Sequence, residues 1–171
     1  MSCVSFSGGI TNDCSNNMGG VTKVYLTDFA NIVSYTETSG TVSAITMASA
    51  SYFYEFQFNR NSAEFTENLT KSVEAGSALF EQTITITIPK RDRAKRNTLA
   101  LLTQRDLAVI VKDSNGVYWY PGAVEGVYQS EGTSTSGKAK ADGSNYVVTL
   151  KGYEQNQAPV VASGIIAALL A

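Results

Sequence analysis

The sequence predicts a mainly β protein, a β-sandwich or small barrel built from long strands with one flanking α-helix. Apolar and polar residues alternate almost without a break through residues 51–88. Such alternation places every second side chain on one face of a strand, and here it lasts well beyond the five or six residues of an ordinary strand. Composition agrees, since charged residues make up 16% of the chain, against about 25% in typical soluble domains. Only one segment, residues 91–104, has convincing helical spacing.

We expect three parts in the chain. Residues 1–20 are rich in Gly, Ser and Asn, which predicts a flexible N-terminal arm with one short strand at residues 4–6. Residues 21–155 form a single β-rich domain, and the chain is long enough to bury its own core without disulfide bonds. Residues 156–171 form a C-terminal tail, which Pro159 helps to detach from the last strand of the domain.

The domain begins with three predicted strands, at residues 21–26, 32–37 and 41–47, and the last two are joined as a hairpin. A longer strand over residues 52–59 follows them. It separates a more polar face from an aromatic face that holds Tyr52, Tyr54, Phe56 and Phe58.

The next predicted strand, residues 63–74, has one side of mixed character. The side chains on it are Phe65, Glu67, Leu69, Lys71 and Val73. This side is too polar for a core and too apolar for water, which is typical of a subunit interface. Strands that outrun a small domain also find partners in another copy of the chain, so we expect self-association through this region.

A second long strand follows the turn at residues 75–77 and ends at Pro89. Ile84, Ile86 and Ile88 are predicted to point into the core, because they share one face of the strand. The threonines between them are predicted to point outward.

The helix over residues 91–104 has a modest apolar stripe, made by Ala94, Thr98, Leu101 and Leu102. Its start is strongly basic, with five bases in the seven residues 90–96. Positive charge at a helix N-terminus opposes the helix dipole. Three explanations remain open: a solvated face, a nucleic-acid patch, or contact of Arg91 and Lys95 with an acidic surface of a neighbouring subunit.

The rest of the domain is predicted to contain strands at residues 107–112, 117–120, 124–129, 138–141 and 146–153. The first two pair across Asn115-Gly116, a dipeptide that favours a tight turn.

The tail ends in an apolar run over residues 164–171, which is far shorter than the roughly 20 residues that cross a membrane. We therefore expect no membrane partner. Nothing in the alternation of the domain requires this run, so it either docks on a partner protein or stays mobile. Its candidate docking residues are Ile165, Ile166, Leu169 and Leu170.

The chain contains no histidine. This excludes the commonest general base, the Ser–His and Cys–His dyads and most catalytic metal sites. The carboxylates show no spacing that fixes a working pair, and two cysteines without histidine cannot form a zinc site. We expect no enzyme activity, no metal and no cofactor. Cys3 and Cys14 are expected to be reduced thiols, because no signal-peptide pattern is present.

Charge is distributed unevenly along the chain. Residues 1–89 contain eight acids and three bases, whereas the second half contains ten bases and seven acids. An acidic and a basic part suit self-association, in which one surface meets its opposite on a neighbour. The net charge of −2 gives no overall attraction to nucleic acid.

The order of these elements resembles that of structural proteins of tailed bacteriophages, of the tail-tube type. The resemblance covers about residues 20–155 and rests on the segments YEFQFNRNSAEFTENLTKSVEAGSALFEQTITITI, KRDRAKRNTLALLTQ, LAVIVKDSNGVYW and DGSNYVVTLKGYE. The chain is similar in particular to short virion proteins of phages that infect Bacteroidetes hosts.

The resemblance implies a subunit made in the bacterial host cytoplasm and incorporated into the tail or neck of the virion. Such subunits form rings, commonly of six, which stack into a tube that conducts double-stranded DNA without binding it specifically. The implied partners are further copies and other tail or neck proteins. In that family an acidic lumen repels the DNA backbone, and the candidates here are Glu55, Glu64, Glu67 and Glu74. The apolar tail also suits a head–tail connector or neck ring.

A second class of function remains open, a β-sandwich module that binds carbohydrate or a cell surface through an aromatic platform of tyrosines and Trp119. Tyr52, Tyr54 and Trp119 fall in predicted strands, where core packing explains them equally well. Under the first hypothesis, the candidate subunit-interface residues are Phe65, Glu67, Leu69, Lys71, Glu74, Arg91, Lys95, Ile165, Ile166, Leu169 and Leu170.

Overall fold

The computed structural model describes residues 8–12 and 14–171, and the chain is mainly β. In chain order, the described strands are β1 (Val21–Asp28), β2 (Ile32–Thr38), β3 (Thr41–Met47), β4 (Tyr54–Phe56), β5 (Ala63–Ser72), β6 (Ser77–Pro89), β7 (Leu107–Asp113), β8 (Tyr118–Trp119), β9 (Tyr128–Thr135), β10 (Asn145–Glu154) and β11 (Val160–Val161). The helices are α1 (Arg93–Leu102) and α2 (Ser163–Leu169), and a 3-10 turn covers Phe29–Asn31.

The strands form two sheets, a seven-stranded one in the order β2-β3-β11-β8-β7-β1-β4 and a four-stranded one in the order β5-β6-β10-β9. Side chains from both sheets and from α1 meet in one core. The predicted β-sandwich with a flanking helix is confirmed. The structure adds a second, C-terminal helix, α2, which the sequence did not predict.

The main core lies between the two sheets. The seven-stranded sheet contributes Val24, Leu26, Val109 and Val111, the four-stranded sheet contributes Ile84, Ile86, Val148 and Leu150, and α1 contributes Leu99 and Leu102. The three isoleucines of β6 point inward as predicted, and Ile84 is fully buried.

A second core covers the opposite face of the seven-stranded sheet. Tyr25 and Ile110, whose neighbours in β1 and β7 point into the main core, lie here against Phe53, Ile166 and Leu169. Strand β7 is therefore buried on both faces, with its first five residues all inaccessible to solvent. This explains why its sequence is a continuous apolar run and not an alternating one.

Tyr120 lies in the second core, fully buried, with its ring edge-on to Tyr35 at 5.9 Å between centroids. Its hydroxyl has no hydrogen-bond partner among the described residues. Burial raises the pKa of this hydroxyl well above its ordinary value, since the low-dielectric surroundings disfavour the phenolate.

We expect Tyr120→Phe to raise the free energy of unfolding by about 1 kcal/mol, because it removes a buried polar group that forms no bond. The folded pKa is raised, so the wild type keeps its full stability below the unfolded tyrosine pKa of about 10 and loses stability as pH rises above it. Urea unfolding at pH 7 and pH 11 checks both statements. The variant should lose less stability than the wild type between the two values, and a destabilised variant would show that the hydroxyl has a partner.

Strand β4 is much shorter than the predicted strand over residues 52–59. It pairs only with β1, at the edge of the seven-stranded sheet, and Ala50 and Asn61 on either side have positive φ angles of 59° and 60°. The burial differs from the predicted alternation. Phe53, predicted to lie on the more polar face, is fully buried in the second core, whereas Tyr52 and Tyr54 of the predicted aromatic face are exposed. The predicted aromatic face is therefore not a packed face of one strand.

One strand predicted late in the chain is displaced and another is wrong. Residues 124 and 125 of the strand predicted at 124–129 belong to a turn and Val127 forms an isolated bridge with Leu107, so the strand runs from Tyr128 to Thr135. Residues 138–141 also form a turn, in which the Asp142 carboxylate accepts hydrogen bonds from the backbone N–H groups of Lys138 and Ala139 at 2.9 and 2.8 Å. Side-chain bonds of this kind compete with strand pairing.

Helix α1 begins two residues later than predicted. Asp92 caps it by accepting a hydrogen bond from the backbone N–H of Lys95 at 2.8 Å. Its buried side chains are Leu99 and Leu102, whereas Leu101, predicted to be in the apolar stripe, is 58% exposed. Leu101 lines an apolar groove of about 600 Å³ between α1 and the β1–β4 edge.

The prediction of a tail separate from the domain is wrong. Strand β11 lies between β3 and β8 and pairs with both, so it joins the β2–β3 hairpin to the rest of the seven-stranded sheet. Ile166 and Leu169 of α2 are 5% and 6% exposed in the second core. Ile165 and Leu170 are half-buried and pack against the same core. The apolar run is therefore part of the domain's own core and not a free docking segment.

The predicted strand at residues 4–6 and Cys3 lie outside the described residues. Cys14 is an exposed free thiol.

Candidate assembly surface

The four-stranded sheet ends on both sides in a long strand. Strand β5 has ten residues and β9 has eight, and among the described residues each pairs on one side only, with β6 and β10 respectively. Monomeric proteins commonly protect such edges with lysine, proline, bulges or short strands. Strand β5 contains one lysine, near its end, and β9 contains a single register shift, so both edges are largely unprotected.

The free backbone groups of β5 follow from its register. The N–H of Thr87 donates to the carbonyl of Ser62 at 2.8 Å, and β5 continues antiparallel to β6 from there. Bonded and non-bonded pairs alternate in an antiparallel ladder. The N–H groups of Phe65, Glu67 and Leu69 therefore point to the open edge, while those of Thr66 and Thr70 bond to β6.

The two faces of the four-stranded sheet differ in chemistry. The inner face is apolar and contacts the main core. The outer face is rich in threonine and contains three carboxylates, those of Glu64, Glu81 and Glu131. Glu81 forms an ion pair with Lys151 at 2.9 Å, and this hydrogen bond raises the pKa of the Lys151 ammonium group.

Only one of the four predicted lumen residues lies on this outer face, namely Glu64. Glu55 lies in the other sheet and forms an ion pair with Lys23 at 3.2 Å, and Glu74 lies in the β5–β6 turn. Glu81 and Glu131 also lie on the outer face and were not predicted from the sequence. The signal for Glu81 was present, because it shares the odd-numbered face of β6 with the outward threonines.

Glu67 lies on the inner face and forms bonds within its own chain. Its Oε1 accepts hydrogen bonds from the backbone N–H of Ala158 at 2.7 Å and from Nε2 of Gln82 at 3.1 Å. Gln82 is fully buried, and its Oε1 accepts a bond from the N–H of Gly122 at 2.8 Å. Glu67 thus binds the start of the C-terminal segment, and these contacts account for it without a lumen or a neighbouring subunit.

The β5–β6 hairpin extends beyond the end of β10, whose last residue pairs with Phe80. At that point Leu69, which pairs with Phe80, is 57% exposed. Past it Val73 is 85% exposed, and Lys71 and Glu74 are exposed beside it. Phe65, by contrast, is half-buried and packs against the main core. The exposed part of the predicted interface is therefore the projecting end of the hairpin, and Phe65 supports the fold.

The basic start of α1 is partly neutralised within the chain. The Lys95 ammonium group donates to the carbonyls of Pro89 and Lys90 at 2.6 and 3.0 Å and lies 3.8 Å from the Asp92 carboxylate. These contacts explain Lys95 without a neighbouring subunit. Arg91 is exposed, with its guanidinium 5.7 Å from the centre of the Tyr146 ring.

The aromatic residues proposed for a carbohydrate platform are not brought together. Trp119 is half-buried and donates its indole N–H to the Asp113 carboxylate at 3.0 Å. Tyr52 and Tyr54 lie at the β4 edge, with β7 and β1 between them and β8.

Within the part of the chain that the structure describes, no cluster of three or more histidine, cysteine, aspartate or glutamate residues could hold a metal ion. None of the described helices is long and apolar enough to span a membrane. Comparisons with protein-family models, curated proteins and solved structures find no match to this chain.

Proposed function

We propose that this chain is a virion structural protein that assembles into stacked rings, forming the tail tube of a tailed phage or a ring at its neck. The observation that carries the proposal is the four-stranded sheet with a long, unprotected strand at each edge. Ring closure would pair β9 of one copy with β5 of the next.

Strand direction supports this closure. All three pairings within the sheet are antiparallel, so its two edge strands, β5 and β9, run in opposite directions. When β5 of a second copy is placed beside β9 in the same orientation, the new pair is also antiparallel. The contact joins two different surfaces, so it is a heterologous contact, which produces a closed ring when the rotation between copies is right.

The outer face of the sheet supports the role of the ring as a DNA conduit. This face would line the lumen, because the inner face is covered by the core. Its carboxylates Glu64 and Glu131 form no ion pair with a described residue and would repel phosphate, whereas the charge of Glu81 is offset by Lys151. Its threonines are short and uncharged and would form no tight contacts with bases. Double-stranded DNA would therefore pass without specific binding. The remaining surface would contact other tail or neck proteins.

The test is a substitution that removes a free edge N–H without altering the hairpin. Leu69→Pro removes an N–H that points to the open edge, and proline is tolerated at such positions of edge strands. We expect the variant to keep its circular dichroism spectrum and remain a monomer, while the wild type forms rings by light scattering and negative-stain microscopy.

The matched control is Leu69→Thr, which changes the same exposed side chain but retains the N–H group. It should still form rings if backbone pairing drives assembly. A wild-type protein that remains monomeric at every concentration would refute the proposal, as would a folded Leu69→Pro variant that forms normal rings.

A further inference from the structure

One end of the four-stranded sheet is strongly basic. The β9–β10 turn lies against the start of the helical segment there, since the backbone N–H of Lys90 donates to the carbonyl of Ser144 at 2.7 Å. Together these two segments form what we call the basic end, which consists of Lys90, Arg91, Arg93, Arg96, Lys138 and Lys140. All six side chains are exposed.

The charge of the basic end is not balanced within the chain. The two nearby acids, Asp92 and Asp142, are too few to offset six positive charges, and Asp92 also lies 3.8 Å from Lys95. None of the six bases forms an ion pair with another described residue. The basic end therefore has a substantial excess of positive charge.

The opposite end of the same strands is acidic. A cavity of about 340 Å³ lies there against the start of β6 and the end of β10, lined by Tyr35, Glu37, Glu125 and Glu154 among others, and by no lysine or arginine. Glu154 is buried and accepts two backbone N–H bonds, from Val124 and Glu125, whereas Glu37 and Glu125 are exposed.

Glu74 lies beyond this cavity in the projecting turn of the β5–β6 hairpin, where Lys71 offsets part of its charge. We call Glu37, Glu74 and Glu125 the acidic end. Pro89 at the basic end lies ten positions along β6 from Leu79 at the cavity, a span of roughly 30 Å at about 3.3 Å per residue. The sheet is therefore polarised along its strands.

We propose that the basic end of one copy docks on the acidic end of a second copy in the next ring. This inference rests on the proposed ring and identifies the contact through which rings stack. The two surfaces are complementary in charge and lie at opposite ends of one strand, so the contact is heterologous and does not close. Repetition of such a contact produces an open stack of indefinite length. A nucleic acid is the competing partner for the basic end, and the net charge of −2 favours the protein partner.

The experiment uses two charge-reversed full-length variants. The first changes the basic end (Arg93→Glu, Arg96→Glu, Lys138→Glu and Lys140→Glu), so that its six side chains go from a charge of +6 to −2, and the second changes the acidic end (Glu37→Lys, Glu74→Lys and Glu125→Lys), which goes from −3 to +3. Each variant alone has like charges at both ends, so we expect single rings of wild-type mass and no stacks. In a mixture of equal amounts, every contact again joins opposite charges, so alternating stacks should return in negative-stain images.

Wild-type stacks should also separate into rings in about 1 M NaCl, where the Debye length falls to about 3 Å. Normal stacking of either variant alone, or failure of the mixture to stack, would overturn the inference while leaving the rings in place. Retained stacking of the first variant with loss of binding to a random DNA duplex would instead assign the basic end to nucleic acid. A wild type without rings would refute the proposed function and, with it, this contact.

Discussion

Truncation of the chain after Gln157 is expected to abolish cooperative folding. The deletion removes Val161, Ile166 and Leu169, all buried in the second core. Burial of such side chains contributes roughly 1.5–3 kcal/mol each, and their sum approaches the roughly 5–15 kcal/mol of a typical domain. It also removes the strand that joins β3 to β8. Thermal unfolding followed by circular dichroism should show no sharp transition.

A milder pair of variants separates the packing contribution from the loss of the strand. Leu169→Ala should lower the free energy of unfolding by about 2–5 kcal/mol, because it leaves a cavity in the second core. Ala168→Ser, at the exposed neighbouring position, should change it by less than about 0.5 kcal/mol. A truncated protein with an unchanged melting temperature would contradict the placement of β11 and α2 in the domain.

Gly122→Ala is expected to be the most damaging single substitution. Gly122 has a φ of +67°, and a Cβ there would lie 2.6 Å from the carbonyl carbon of Gly126 and 2.6 Å from a methyl group of Val127. Its N–H also donates to the buried Gln82. The backbone of the turn would have to move, so we expect a loss of about 4 kcal/mol or more, measured by urea unfolding.

The matched control is Gly143→Ala. Gly143 has the same φ of +67°, but a Cβ there would meet no atom within 4 Å. Only the left-handed conformation is penalised in this case, at about 1–2 kcal/mol. The difference in the free energy of unfolding between the two variants measures the steric effect of the close backbone approach within the 122–127 turn. Equal losses would show that this turn can move to accommodate the Cβ without destabilising the protein.

The alternating segments were predictable because the apolar residues of each strand identify the face that is buried. In β6 the parity of the isoleucines identified the inner face, and the same parity, applied further back, places Glu81 on the outer face and Gln82 on the inner one. The long β5–β6 hairpin, the α1 region and the β7–β8 turn were predicted in the right order for the same reason. Local pattern was sufficient where each strand pairs with a neighbour in sequence.

Local pattern was insufficient where the partner is distant in sequence. Glu67 resembled an interface carboxylate because the bond that explains it comes from the backbone of Ala158. Phe53 broke the alternation of its segment because Leu169 and Leu170 lie beside it. The apolar C-terminal run appeared detached because its two-residue strand pairs with β3 and β8, which become its neighbours only when the sheet is assembled. None of these contacts has a local pattern that could predict it.

The position of β11 has a consequence for the order in which the protein acquires its structure. The four-stranded sheet is built from the β5–β6 and β9–β10 hairpins, whose closure requires only short loops. The seven-stranded sheet is complete only when Val160 reaches Thr41, from the far side of the chain. Contacts between residues so distant in sequence form slowly, because the entropy of loop closure is lost before the stabilising energy of the contact is gained. We expect the hairpins to acquire protection from hydrogen exchange first, so the open edges of β5 and β9 exist before the second core has formed.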